Sequence, residues 1–114
     1  MSKAIYGTVQ LTVGDHSFTL KPTLQAVLKI EQRFGGLRPA LEVCNMQNVE
    51  ASSFIIAAGA SLKEEQIKAL PEQVFQAGIV QVTAQVIPYL TLLMRPTAGL
   101  DEDQGNAEAA STAQ

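Results

Sequence analysis

Tryptophan is absent from these 114 residues, and the other aromatics are limited to two Tyr and four Phe. Any interior must therefore rest on Leu, Ile, Val and Ala. A single cysteine, Cys44, cannot close an internal disulfide. With no activating group beside it, it reads as a small buried hydrophobe on a helix rather than a nucleophile. One His and one Cys, distant in sequence, are too few for a zinc site. His16 follows a hairpin turn and reads as a solvated strand end, which leaves a Ser-His-Asp or Cys-His arrangement without its base. Neither GxGxxG nor GxxxxGK occurs, and the pair Gly35–Gly36 is better explained as a helix stop. Asp101-Glu102-Asp103 lacks the ligand spacing and glycine of an EF-hand. Glu64–Glu65 suits a helix start, where the positive end of the dipole favours acids. The expectation is a protein that is not an enzyme, with no catalytic, cofactor-binding or metal-binding residues and no cofactor.

Charge of one sign is missing from the end of the chain. Residues 1–95 carry all eight bases against seven of the eleven acids; the other four acids are Asp101, Glu102, Asp103 and Glu108. The body is thus near neutral, with no basic stripe and no interleaving of aromatics with Lys or Arg, which argues against a nucleic-acid partner. A hydrophobic content of 46% is ordinary for a globular chain. At this length one domain can bury roughly two-thirds of its unfolded surface. The first residues, Met1-Ser2-Lys3-Ala4-Ile5-Tyr6, lack an apolar run of the secretory kind, so the expected location is cytoplasmic.

What is present begins with two alternating segments. Val9, Leu11 and Val13 share one face, with Thr8, Gln10 and Thr12 on the other, and His16, Phe18 and Leu20 repeat the alternation after Gly14–Asp15. Period-2 alternation around a glycine turn predicts a half-buried hairpin, Gly14 supplying the positive φ of a II′ or I′ turn. Such a hairpin needs helices to pack on. Thr23 is a candidate N-cap after Pro22, and Gly35 a natural residue to close the helix. Between them Leu24, Val27, Leu28 and Phe34 fall on one side at about 100° per residue. Glu31 interrupts that arc. It is either solvated at the arc's edge or a half-buried acceptor paired with Arg38 or with backbone N–H groups, because an unpaired buried carboxylate is too costly.

Pro39 suits the first turn of a short second helix carrying Leu37, Ala40, Leu41 and Cys44, which residues 45–48 interrupt. A third helix is expected over 49–58, with Phe54, Ile55 and Ala58 inward and a stop at Gly59. Ser61-Leu62-Lys63-Glu64 matches a capping box, opening a helix that Pro71 ends or bends. Residues 73–94 contain no charge. A membrane span is excluded by content, since Gln73, Gln76, Gln81, Thr83, Gln85 and Thr91 break the run and Pro88 is expected to split it. Phe75, Ile79, Val82, Val86, Leu90 and Leu93 form one broad stripe, read either as a central core helix or as a partly exposed groove or oligomer contact. After Pro96 the composition turns to small and acidic residues with Leu100 alone among large apolar ones, which predicts disorder over 96–114 beyond a single domain at 1–95. The fold class expected is α+β, mostly helical: a two-stranded hairpin packed on four to five helices.

Gly14, then Phe18-Thr19-Leu20-Lys21-Pro22-Thr23, then Ala26 and Ile30-Glu31 together resemble the phage tail assembly chaperones, a family that includes a small tail protein of gene transfer agents. That family has a hairpin, an "L-K/R-P-T" lead into the first helix and a hydrophobic-Glu pair on it. A later helix has a small-residue-plus-Gly step, matched by Ala57-Ala58-Gly59, and a final apolar helix follows, matched by residues 73–94. The likeness covers about residues 7–94. It implies a binding role in the host bacterial cytoplasm: such chaperones coat the aggregation-prone tape-measure protein before tail-tube subunits polymerise, and are generally absent from the finished virion. In related systems a frameshift appends a second domain. Gly14, Pro22, Thr23, Glu31 and Gly35 are read as structural from their turn, cap and arc positions, and the apolar stripe suggests Val82, Val86, Leu90 and Leu93 as partner contacts, with the tape-measure protein, other tail proteins or a second copy as partner. Two other readings are a structural tail component (tube or terminator) and a small bacterial adaptor or regulator. The first would call for more strands than are legible here, the second for a basic surface.

Overall fold

The computed structural model describes residues 7–96. The chain runs β1 (Val9–Val13), β2 (His16–Leu20), α1 (Leu24–Phe34), α2 (Leu37–Asn45), α3 (Val49–Ala60), α4 (Glu64–Ala77) and α5 (Ile79–Met94). This is the mostly helical α+β arrangement expected. Apart from Pro96, the tail assigned to 96–114 lies outside the described residues.

The two strands pair antiparallel, with Val13 opposite His16, Leu11 opposite Phe18 and Val9 opposite Leu20. Gly14 at φ 63 makes the turn, a conformation that costs a Cβ-bearing residue and not glycine. Leu11, Val13 and Leu20 are fully buried, while Gln10, Thr12 and Thr19 face water. His16 is exposed at its strand end, as its position implied.

α1 begins and ends as its sequence dictates. The Thr23 hydroxyl accepts from the Ala26 N–H at 3.1 Å, and Gly35 closes the helix at φ 90, donating its N–H to the Glu31 carbonyl. The packed face is rotated from the expected one: Ala26 and Ile30 are buried, with Val27 and Phe34 half-buried, whereas Leu24 and Leu28 are 70% and 52% exposed. Glu31 follows Leu24 and Leu28 round the helix and is exposed, so the carboxylate is solvated and Glu31 is not the structural residue expected. Glu31→Gln and Glu31→Leu are both expected to leave the unfolding free energy, read from the denaturant midpoint at constant slope, within about 0.5 kcal/mol of the parent, as surface changes do. A clear loss from either would place a partner at that carboxylate.

The centre of the molecule is α3 rather than the last helix. Ala51, Ser52, Ser53, Ile55, Ile56, Ala57, Ala58 and Gly59 are all buried, and α1, α2, α4, α5 and β2 pack round it. Its small side chains allow that close approach from every side. Asn48 caps it, accepting from the Ala51 N–H at 2.8 Å. The helix does not stop at Gly59; it passes through to Ala60, and Ser61 ends it in the left-handed region at φ 54. Ser61 therefore cannot open a capping box. Half of such a box forms two residues later, where the Gln66 amide oxygen accepts from the Lys63 N–H at 2.9 Å. Cys44 is buried against α3, and burial pushes its thiol above the usual range; the nearby Ser52 hydroxyl pulls the other way without reaching hydrogen-bond geometry.

The uncharged run 73–94 is broken, but at Gly78 and not at Pro88. Gly78 at φ 103 turns the chain so that α4 and α5 meet at 119°. Pro71 and Pro88 both sit inside continuous helices. Each removes one backbone bond, and the residues whose carbonyls lose it, Ile67 and Ala84, lie on water-facing sides where solvent can replace it. Among the described residues no single helix is long and apolar enough to cross a membrane.

Candidate partner-binding surface

Hairpin, α3 and α5 meet at the main chain of Lys21. Its N–H donates to the Gly59 carbonyl at 3.0 Å, and its carbonyl accepts from the Tyr89 hydroxyl at 2.6 Å and from the Thr23 N–H at 3.0 Å. The last bond spans Pro22 as a tight three-residue turn, for which a ring-fixed φ is suited. Tyr89 is fully buried, and burial pushes its phenol well above the ordinary range, so it remains a donor. At Gly59 a Cβ would lie 2.8 Å from the Tyr89 Cζ and hydroxyl oxygen. The glycine is there to let the ring approach. The Lys-Pro-Thr and Ala-Ala-Gly pieces that stand far apart in sequence thus touch, and their work is structural.

The stripe residues suggested as partner contacts are not available for binding. Val82, Val86 and Leu90 are wholly buried and Leu93 is 5% exposed. Beneath the hairpin, α2 and α3 they complete the core, because α5 has those elements to cover it. The broad stripe was a core face. Its outer member, Phe75, falls on α4 beyond the bend and is 69% exposed.

Exposed apolar surface lies elsewhere. Along the outside of α4, Ile67, Pro71 and Phe75 recur at i, i+4 and i+8, and Val80 is exposed just past the bend. At the Ile67–Pro71 end the stripe opens on a pocket of about 190 Å³ between α1, α3 and α4, lined also by Arg33, Glu50, Ser53 and Phe54. Phe54 is the aromatic of its lining and meets Phe34 edge-on, the ring centroids 5.8 Å apart. The Arg33 guanidinium stands 5.5 Å from the Phe54 centroid and pairs with Glu50 at 3.6 Å. An apolar side chain entering here would meet aromatic and aliphatic walls with a charged pair at the rim.

Leu24 and Leu28 lie on the side of α1 opposite Arg33, apart from this stripe. Their i, i+4 spacing was legible, but not which side of the helix would be covered. The pocket was not anticipated; the Ile67, Pro71, Phe75 spacing could have pointed to it had α4 been read through Pro71. A second pocket, about 200 Å³, lies between the hairpin turn and α4 and is lined by Val13, Gly14, Asp15, His16, Gln73, Gln76 and Ala77. Among the described residues no three His, Cys, Asp or Glu side chains gather as a metal site would require. No protein-family model matches the chain, and neither curated proteins nor solved structures give a match.

Proposed function

We propose that this protein is a tail assembly chaperone of a phage, prophage or gene transfer agent, which binds apolar helical segments of a tape-measure protein in the bacterial cytoplasm and performs no catalysis. The observation that carries the binding role is the Ile67–Pro71–Phe75 stripe, exposed at Ile67 and Phe75 and half-buried at Pro71, running into the Arg33–Phe54 pocket. A partner helix presenting apolar residues at i, i+4 and i+7 would match it, with Arg33 and Glu50 at the polar rim. The family assignment is supported by the resemblance over residues 7–94.

Co-expression with the neighbouring tape-measure gene should keep that protein soluble and co-purify the pair. Phe75→Lys should abolish co-purification while shifting stability by no more than about 0.5 kcal/mol, since the ring is mostly exposed and a cation suits a helix C-terminus. Leu28→Lys, on the far side of α1, should leave the complex intact. Capture unaffected by Phe75→Lys but lost with Leu28→Lys would move the binding face to α1. Recovery of this protein in assembled tails, with no complex formed, would replace the chaperone by a structural tail component.

A further inference from the structure

β1 is an edge strand among the described residues, bonded to β2 on one side only. Val13 and His16 flank the two-residue turn as a hydrogen-bonded pair, so Leu11 and Val9 bond inward by alternation, and Gln10 and Thr12 point their N–H and C=O groups out of the hairpin. Natural edges are guarded by charge, proline or a bulge. Residues 7–13 contain none of these: they are Gly, Thr, Val, Gln, Leu, Thr and Val.

What guards this edge is a side chain from α5. The Gln85 amide oxygen accepts from the Thr12 N–H at 2.9 Å, and its Nε2 donates to the Thr12 carbonyl at 2.9 Å. A primary amide bonded to both main-chain groups of one residue imitates one residue of a neighbouring antiparallel strand. Gln85 is itself steadied, its Nε2 also reaching the Gln81 carbonyl at 3.2 Å.

The geometry points to Gln85 as a latch that keeps the β1 edge from pairing with β1 of a second copy. A second copy is the occupant because the edge suits itself: an antiparallel two-fold pairing about Leu11 sets Gln10 of each chain opposite Thr12 of the other. An uncharged strand offers no repulsion to such a pairing. Releasing the amide exposes the Thr12 pair that the second strand needs. This inference is independent of the proposed function.

The test begins with the unaltered protein. Hydrogen exchange of the Thr12 amide should be at least about tenfold slower than that of Gln10, its unlatched neighbour on the same edge, and equal rates would overturn the latch. Gln85→Ala in dilute solution should erase that difference, and on concentration should double the mass seen by light scattering. Adding Gln10→Lys, which places a charge on the edge, should return the mass to that of the parent. If the alanine variant loses its helical signal, Gln85→Met serves, since it keeps the reach without either bond. A folded Gln85 variant whose mass matches the parent at every concentration overturns the proposal. So does an association that Gln10→Lys leaves unchanged.

Discussion

Leu90→Ala is expected to remove about 2–5 kcal/mol of folding free energy, the range for truncating a large aliphatic side chain in a packed interior. Leu90 is fully buried on α5, in the core shared with β1, α2 and α3. The loss combines the transfer of three methyl-sized groups to water with the cavity left behind, which rigid helices on several sides cannot close. Against the roughly 5–15 kcal/mol that holds a small domain together, this is enough to bring the midpoint near working conditions. Urea unfolding at constant slope measures it. Phe75→Ala provides the contrast, a larger side chain whose removal should cost little because it is already mostly in water. If Leu90→Ala fell within about 1 kcal/mol of the parent while Phe75→Ala did not, the assignment of core and surface along residues 73–94 would be reversed.

Gly59→Ala should destabilise by about 1–3 kcal/mol, although intrinsic helix propensity favours alanine by about 1 kcal/mol at such a position. The new methyl would stand 2.8 to 2.9 Å from three atoms of Tyr89. The ring cannot swing aside without giving up its 2.6 Å bond to the Lys21 carbonyl. Tyr89→Phe alone should cost about 1 kcal/mol for that bond, the carbonyl keeping the Thr23 N–H. The informative quantity is the coupling between the two sites. With Tyr89→Phe in place the alanine should cost less, because one of the three close contacts is gone; with Tyr89→Leu it should cost little or even stabilise. A stabilising Gly59→Ala in the parent would mean that the ring does not press on α3.

Most features set by a few adjacent residues are legible in the sequence, while those set by distant partners are not. The box expected at Ser61 is the local exception, because α3 runs on to Ala60 and takes Ser61 as its end. The hairpin with its turn at Gly14, the Thr23 cap and the Gly35 stop each depend on local chemistry, and each forms. From its neighbours alone Gly59 reads as a stop, because its reason lies thirty residues away in the Tyr89 ring. Pro88 draws the break that belongs to Gly78, because whether a proline interrupts a helix depends on whether its orphaned carbonyl faces water. The partner stripe failed in the same way: periodicity shows that Val82, Val86, Leu90 and Leu93 share a face, not whether other elements cover it. The pocket at Arg33 and Phe54 joins three helices; the Ile67, Pro71, Phe75 spacing marks its α4 wall and is silent on the walls from α1 and α3.

The junction at residue 21 has a consequence for how this fold can vary. Its three bonds use only the amide and carbonyl that nearly every amino acid carries, so the lysine side chain is free to change in length, charge or character without loosening it. Positions 59 and 89 have no such liberty separately, because the ring at 89 is what holds 59 to the smallest residue. Descendants of this chain could drift widely at the joint itself while keeping a glycine and a tyrosine thirty positions apart, and that spaced pair would be a steadier marker of kinship than the segment lying between hairpin and helix.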